Sequence, residues 1–227
     1  MRMMVARAVV MCSGLLALNA QALDLAGISQ QEAGSGLKET LTYAASGAVS
    51  KLGASGGFLN DSKVHIPLPD ALQTAKQAMS IMGKGKDFDA LETGINRAAE
   101  AAVPKAKPLL INAVKSMSVQ DAKGILSGGD DAVTQFFRGK TEASLTKEFL
   151  PIVKATTDKS GLAQKYNSLA GQASSFGVLN PEDSKLENYV TKKALDGLFL
   201  MLSEQEKAIR KDPVGTGSAL LKKIYGN

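Results

Sequence analysis

Cysteine, histidine and tryptophan are scarce in this sequence of 227 residues, which has one cysteine (Cys12), one histidine (His65) and no tryptophan. A lone cysteine excludes disulfides within the chain. Structural zinc sites are built mainly from cysteine and histidine, so this composition argues against zinc. Aromatic residues make up only 5% of the chain, which argues against stacking surfaces for sugars or nucleotide bases.

The first residues have the pattern of a secretory signal peptide. Arg2 and Arg7 precede an apolar run over residues 8–18, and Ala20 and Ala22 occupy the positions where a cleavage site requires small side chains. The run is too short to cross a bilayer, so we predict cleavage near Ala22 and no transmembrane segment. The protein is then periplasmic or secreted. Its net charge falls from +5 to +3 when the two leader arginines are removed, which disfavours nucleic acid as a partner.

Helical periodicity extends along most of the remaining chain, with apolar residues at three- and four-residue spacings and with glycine or proline at the ends. We predict an all-α fold of eight or nine helices, in a single domain over residues 32–227 that follows a flexible segment at 23–31. The predicted helices cover residues 37–52, 70–82, 86–102, 109–117, 118–126, 132–138, 141–157, 162–173 and 186–210. The last is the longest, and we expect its first half to be buried because residues 194–202 leave almost no polar face.

Residues 53–69 are predicted to form a loop between the first two helices. Pro67 and Pro69 hold their predecessors in extended conformations and cannot belong to a central strand. His65 lies in this loop, where we interpret it as a packed or solvent-facing residue rather than a catalytic base.

No catalytic, phosphate-binding or calcium-binding motif is complete. Residues 83–86 (GKGK) suggest a phosphate-binding loop, but Asp87 follows where serine or threonine is required, and no strand precedes them. The chain has no Gly-x-Ser-x-Gly nucleophile motif, and residues 129–131 do not have EF-hand spacing. We therefore predict no bound metal and no cofactor.

Two groups of polar residues in apolar helices form the candidate site. Asn96, Arg97 and Glu100 lie within one turn of an alanine-rich helix, so their side chains can meet a facing helix. Tyr189 and Asp196 lie in the long helix, and a carboxylate among such apolar neighbours has to be paired or protonated. Two interpretations stay open: a structural ion pair, for instance between Arg97 and Asp196, or the polar end of an internal ligand pocket.

Several long motifs follow one another along almost the whole predicted mature chain. They are GFLND at 57–61, IPLP at 66–69, NRAAEAAVP at 96–104, DA at 121–122 with IL at 125–126 and GG at 128–129, Phe149 with PIV at 151–153, and YV at 189–190 leading to ALDGLF at 194–199. Together they resemble the bacterial family catalogued as domain of unknown function 4197. The resemblance implies an exported helical protein, and it assigns no activity and no functional residue.

Two classes of function are compatible with these observations. The first is a non-enzymatic module that holds an apolar small molecule or a lipid between its helices, or that docks an envelope protein through its loops. The alternative is a metal-independent hydrolase or lyase with paired carboxylates drawn from Glu100, Asp121 and Asp196. We favour the non-enzymatic module because no catalytic motif is present.

Overall fold

A computed structural model describes residues 30–81, 83, 85–129, 131–159, 161, 164, 166–167 and 185–211. All regular structure in these segments is helical, which confirms the predicted all-α class. The helices are α1 (Gln30–Leu52), α2 (Asp70–Ile81), α3 (Gly85–Ala102), a 3-10 turn (Val103–Lys105), α4 (Ala106–Lys115), α5 (Val119–Ser127), α6 (Ala132–Asp158) and α7 (Leu186–Lys211). The predicted leader and most of the predicted helix at 162–173 lie outside the described residues.

The described segments hold seven α-helices rather than the eight or nine predicted. One reason is that the predicted helices 132–138 and 141–157 are a single helix, α6, which runs through Gly139. Gly139 is exposed, and a Cβ atom there would meet nothing within 4 Å, so no close contact requires glycine at this position. Its cost is the weak helix propensity of glycine, about 1 kcal/mol. The buried neighbours Phe137 and Thr141 hold the helix against the core across this position. A separate difference is that α1 begins at Gln30, whereas the predicted helix began at residue 37.

Prolines and caps act mostly as their positions predict. The 3-10 turn Val103–Lys105 contains Pro104 and separates α3 from α4, as expected. Ser118 and Asp121 form a capping box at the start of α5, with a 3.0 Å bond from the Asp121 N–H to Ser118 Oγ. Asp131 directly precedes α6, and its side chain makes no capping hydrogen bond.

The helices share one buried apolar cluster to which every described helix contributes. α6 and α7 pack along each other; α6 also contacts α3 and α4, and α7 also contacts α1 and α3. Phe137 and Phe149 of α6 and Phe199 of α7 are among the largest fully buried side chains. No helix of the described segments is long and apolar enough to span a membrane.

Most of the first half of the long C-terminal helix α7 is buried, as predicted, but one side of it is exposed. Lys192, Asp196 and Leu200 are exposed, although the residues between them include buried ones such as Ala194 and Leu198. The exposed residues are spaced by four, so they form one stripe on the solvent side of the helix. The sequence pattern did not indicate this exposed stripe, because one of its residues, Leu200, is apolar.

Candidate functional site

Residues 53–69, which we call the 53–69 loop, connect α1 to α2. Its first turn folds back tightly on α1: a Cβ atom on Gly57 would lie 2.4 Å from the carbonyl oxygens of Lys51 and Leu52, so only glycine fits there. The Phe58 side chain that follows is fully buried. The loop is therefore packed into the helical core.

In the second half of the loop, buried and more exposed side chains alternate. Val64, Ile66 and Leu68 are buried, whereas His65 is half-buried and Pro67 is exposed. Buried backbone needs hydrogen-bond partners, and the described residues include no neighbouring strand to supply them.

The Asn96 side chain supplies these partners from α3. The Ile66 N–H donates to Asn96 Oδ1 at 2.9 Å, and Asn96 Nδ2 donates to the Ile66 carbonyl oxygen at 2.9 Å. Asn96 also donates to the Glu92 carbonyl oxygen at 2.8 Å, and its side chain is 0% exposed. One buried amide thus pairs both backbone groups of Ile66, as an adjacent strand would.

Glu100, one turn further along α3, binds the first half of the loop. Its Oε1 accepts hydrogen bonds from the Phe58 and Leu59 N–H groups at 3.2 and 3.1 Å, and its Oε2 accepts one from Arg97 Nη1 at 2.6 Å. Glu100 is only 6% exposed. Burial raises the pKa of Glu100, but the bonds from Leu59, Arg97, Gly56 and Phe58 outweigh it and hold the pKa below its ordinary value. The carboxylate is therefore ionised and fully bonded.

His65 joins the outer face of the loop to α3 and α2. Its Nδ1 lies 3.1 Å from the Leu59 carbonyl oxygen, and its Nε2 lies 2.9 Å from Glu92 Oε1. Lys76 of α2 donates to the other oxygen of Glu92 at 2.9 Å and lies 2.7 Å from Asp89. Burial raises the pKa of Glu92, but the His65 and Lys76 bonds outweigh it and lower the pKa.

α7 and α1 complete the set of contacts around the loop. The Tyr189 hydroxyl donates to the Pro67 carbonyl oxygen at 2.9 Å, and Lys63 forms an ion pair with Glu204. α7 crosses the loop closely at Gly197, where a Cβ atom would lie 2.8 Å from the Phe58 ring. Lys51 of α1 pairs with Asp61 of the loop at 2.9 Å. Three helices besides α2 thus hold the 53–69 loop.

The structure brings together four of the five predicted site residues. Asn96 and Glu100 bond to the loop directly, Arg97 bonds to Glu100 and to Ser55 Oγ at 2.9 Å, and Tyr189 reaches the loop from α7. These four residues surround a loop, not a facing helix.

Asp196 is the predicted site residue that lies apart from the others. Its side chain is 49% exposed and pairs with Arg138 of α6 at 3.4 Å, so the suggested ion pair between Arg97 and Asp196 is wrong. Arg138 also bonds to Glu142 at 2.7 Å and lies over the Phe199 ring, 4.5 Å from its centroid. Asp196 is therefore part of a partly exposed contact between α6 and α7.

Glu92 was not among the predicted site residues, and His65 was interpreted only as a loop residue. A signal for Glu92 was present, since Glu92, Asn96 and Glu100 recur at four-residue spacing and lie on one face of α3. The loop partners of Asn96 and Glu100 are backbone atoms, which have no side-chain signature.

The carboxylates considered for acid–base chemistry do not form a pair. Glu100 bonds to the loop backbone and Arg97, Asp121 bonds to Ser118 and Lys140, and Asp196 bonds to Arg138. Each carboxylate belongs to a separate set of contacts. No group of three or more His, Cys, Asp or Glu residues within the described segments is arranged to hold a metal ion.

Two surface cavities lie against α6, away from the 53–69 loop. One, of about 480 Å³, lies between α5 and α6 and includes Ile125, Phe136 and the ion-paired Asp121 and Lys140 in its wall. The other, of about 360 Å³, lies between α6 and α7. None of the five predicted site residues belongs to the described lining of either cavity.

Comparison with known proteins supports one assignment. No curated protein and no solved structure is significantly similar to this chain. Residues 27–226 match the family described as "Protein of unknown function (DUF4197)", which covers every helix described above. The match spans most of the chain and agrees with the motifs that surround the 53–69 loop. The protein therefore belongs to the DUF4197 family.

Proposed function

We propose that this protein is a non-enzymatic interaction module whose recognition element is the solvent face of the 53–69 loop. The observation that carries the proposal is the use of buried polar side chains to fix one surface loop. Asn96 and Glu100 are buried, and their bonds go mainly to backbone atoms of that loop. Burying such polar groups is unfavourable unless all their hydrogen bonds are made. Asn96 and Glu100 make theirs only when the loop has this conformation, so they stabilise it.

The solvent face of the loop presents a mixed polar surface. Asn60, Ser62, Lys63 and Pro67 are exposed, and His65 is half-buried among them. A loop fixed by its scaffold loses little conformational entropy on binding, which favours recognition of a partner. Long connections with an ordered structure are often binding elements. These properties fit a protein partner better than a buried apolar ligand.

The state of the candidate carboxylates favours this proposal over the hydrolase or lyase. A general acid or base must exchange a proton with a substrate. Both Glu100 oxygens already accept bonds from the protein, and the side chain is almost fully buried. Glu100 in this arrangement positions the loop.

The place of action that we propose is the cell envelope or the medium, after export and cleavage near Ala22. We also propose that residues 32–227 form a single domain. The leader pattern supports the first proposal, and the shared apolar cluster supports the second. Intact mass of the protein recovered from its host tests export, because cleavage near Ala22 gives a mass beginning at Leu23. A mass that includes Met1 would contradict it.

Site-specific photocrosslinking in the host tests the interaction itself. A photoreactive residue at Ser62 probes the loop, and the same residue at Ser144, exposed on α6, is the matched control. We expect one discrete crosslinked protein from position 62 that is absent from position 144 and is lost when Lys63→Glu is added. Equal crosslinking at both positions, or none at position 62, would refute the proposal.

A further inference from the structure

One residue that lines the cavity between α6 and α7 has a buried hydroxyl group without a partner. Thr191 of α7 is 2% exposed, lines the cavity, and its Oγ1 has no hydrogen-bond partner among the described residues. A buried hydroxyl without a partner is unfavourable, and native proteins rarely leave one without a reason.

The other helical threonines give a standard for comparison. Those that donate to the carbonyl oxygen four residues earlier in the helix are Thr40, Thr74, Thr141, Thr146, Thr156 and Thr157. Thr191 has the same opportunity, since Glu187 lies four residues earlier within α7, but it does not make this bond. Thr134 also lacks a partner, but it lies in the first turn of α6, where the residue four positions earlier precedes the helix. The buried threonines of the described helices are Thr40, Thr141, Thr157 and Thr191, and among these only Thr191 makes no bond to the carbonyl oxygen four residues earlier.

The residues around Thr191 combine donors with apolar surface. Asn188, Thr191, Lys192 and Leu195 recur at the spacing of one helical face, and all four line the cavity. The amide, hydroxyl and ammonium groups of the first three can donate to an anionic oxygen. Leu195 and, across the cavity, Leu150 of α6 are the apolar part of the wall.

The acidic residue of the cavity wall already has a partner. Glu142 of α6 accepts a bond from Arg138 at 2.7 Å, and Arg138 also pairs with Asp196 at 3.4 Å. Lys192 has no such fixed ion pair within the described residues, and it is exposed at the cavity. Lys192 is therefore available to pair with an anionic ligand.

We propose that this cavity binds a small carboxylate with a short apolar tail. The carboxylate accepts hydrogen bonds from Thr191 and Asn188 and pairs with Lys192, while the tail packs on Leu150 and Leu195. The cavity volume of about 360 Å³ falls within the range of small-molecule sites. This site is separate from the 53–69 loop, so it goes beyond the proposed interaction with a protein.

Titration of the ¹⁵N-labelled protein with hexanoate tests this site, with hexylamine as a control probe of the same tail and opposite charge. We expect saturable amide shifts with hexanoate at residues 146–150 and 188–195, and none with hexylamine. Thr191→Val keeps the shape of the side chain, and we expect it to weaken hexanoate binding by about tenfold, the effect of one lost hydrogen bond. Lys192→Met, at an exposed position, should weaken binding as well.

The matched control is Thr156→Val, because Thr156 lies on α6 outside the described cavity lining and donates to Ile152. It should leave hexanoate affinity unchanged. The absence of saturable shifts, equal shifts with hexylamine, or unchanged affinity in both Thr191→Val and Lys192→Met would overturn the proposal. Hexanoate binding does not depend on the protein partner proposed for the 53–69 loop. Either proposal can therefore be refuted while the other stands.

Discussion

Substitution of Asn96 by leucine tests whether one amide holds the extended half of the 53–69 loop. Leucine has the same number of side-chain heavy atoms and is not smaller, so the change removes polarity without opening a cavity. It leaves the buried N–H and carbonyl groups of Ile66 without partners. Each such group costs about 1–3 kcal/mol, partly offset by the added apolar surface, so we expect a loss of about 3 kcal/mol in the free energy of unfolding.

Urea denaturation measures this loss. With an m-value of about 2 kcal/mol/M, the midpoint should fall by roughly 1.5 M. Amide hydrogen exchange gives an independent readout, because the Ile66 N–H should lose its protection before the amides of α3 do.

The matched control for this experiment is Asn112→Leu on α4, where the asparagine is exposed. It should change stability by less than about 0.5 kcal/mol. If Asn96→Leu and Asn112→Leu have equally small effects, or if Ile66 exchange is unaffected, the assignment of Asn96 as the loop anchor is wrong.

Three further predictions concern the neighbouring contacts. Tyr189→Phe removes the bond to the Pro67 carbonyl and should cost about 1 kcal/mol in urea denaturation; no change would show that the bond contributes nothing. Asp196→Ala breaks a partly exposed pair and should cost less than about 1 kcal/mol; a loss above about 3 kcal/mol would indicate a buried pair instead. The pKa of Glu100 lies below its ordinary value of 4.5, so its carboxylate stabilises the fold above that pH and the contribution is lost as the pH falls through the folded-state pKa. Urea midpoints measured from about pH 7 to about pH 3 should therefore fall more steeply for the native protein than for Glu100→Gln, and identical slopes would contradict this role.

The helical class was predictable because apolar spacing and caps are local signals. Ser118 and Asp121 have the spacing of a capping box, so four residues of sequence are enough to indicate where α5 starts. The continuity of α6 through Gly139 was not predictable, because packing of the flanking residues decides it against the local preference of glycine.

The candidate site was predictable only in part. Asn96 and Glu100 were identifiable as polar residues on an alanine-rich helix. Their partners were not, since backbone groups of a loop carry no residue-specific signal. Asp196 was misjudged because its neighbours in sequence are apolar, whereas its neighbours on the helix surface are Lys192 and Leu200, one turn away on either side.

The contacts of the 53–69 loop also differ in their separation along the chain, and this has a consequence for folding. The partners of Asn96 and Glu100 lie 30 and 42 residues before them, whereas Tyr189 lies 122 residues after Pro67. The entropy lost on closing a loop grows with its length, and synthesis delivers the N-terminal segments first. All residues of the contacts between the loop and α3 are therefore synthesised long before α7. The order of synthesis favours an α1–loop–α3 unit that forms first and that α7 closes last.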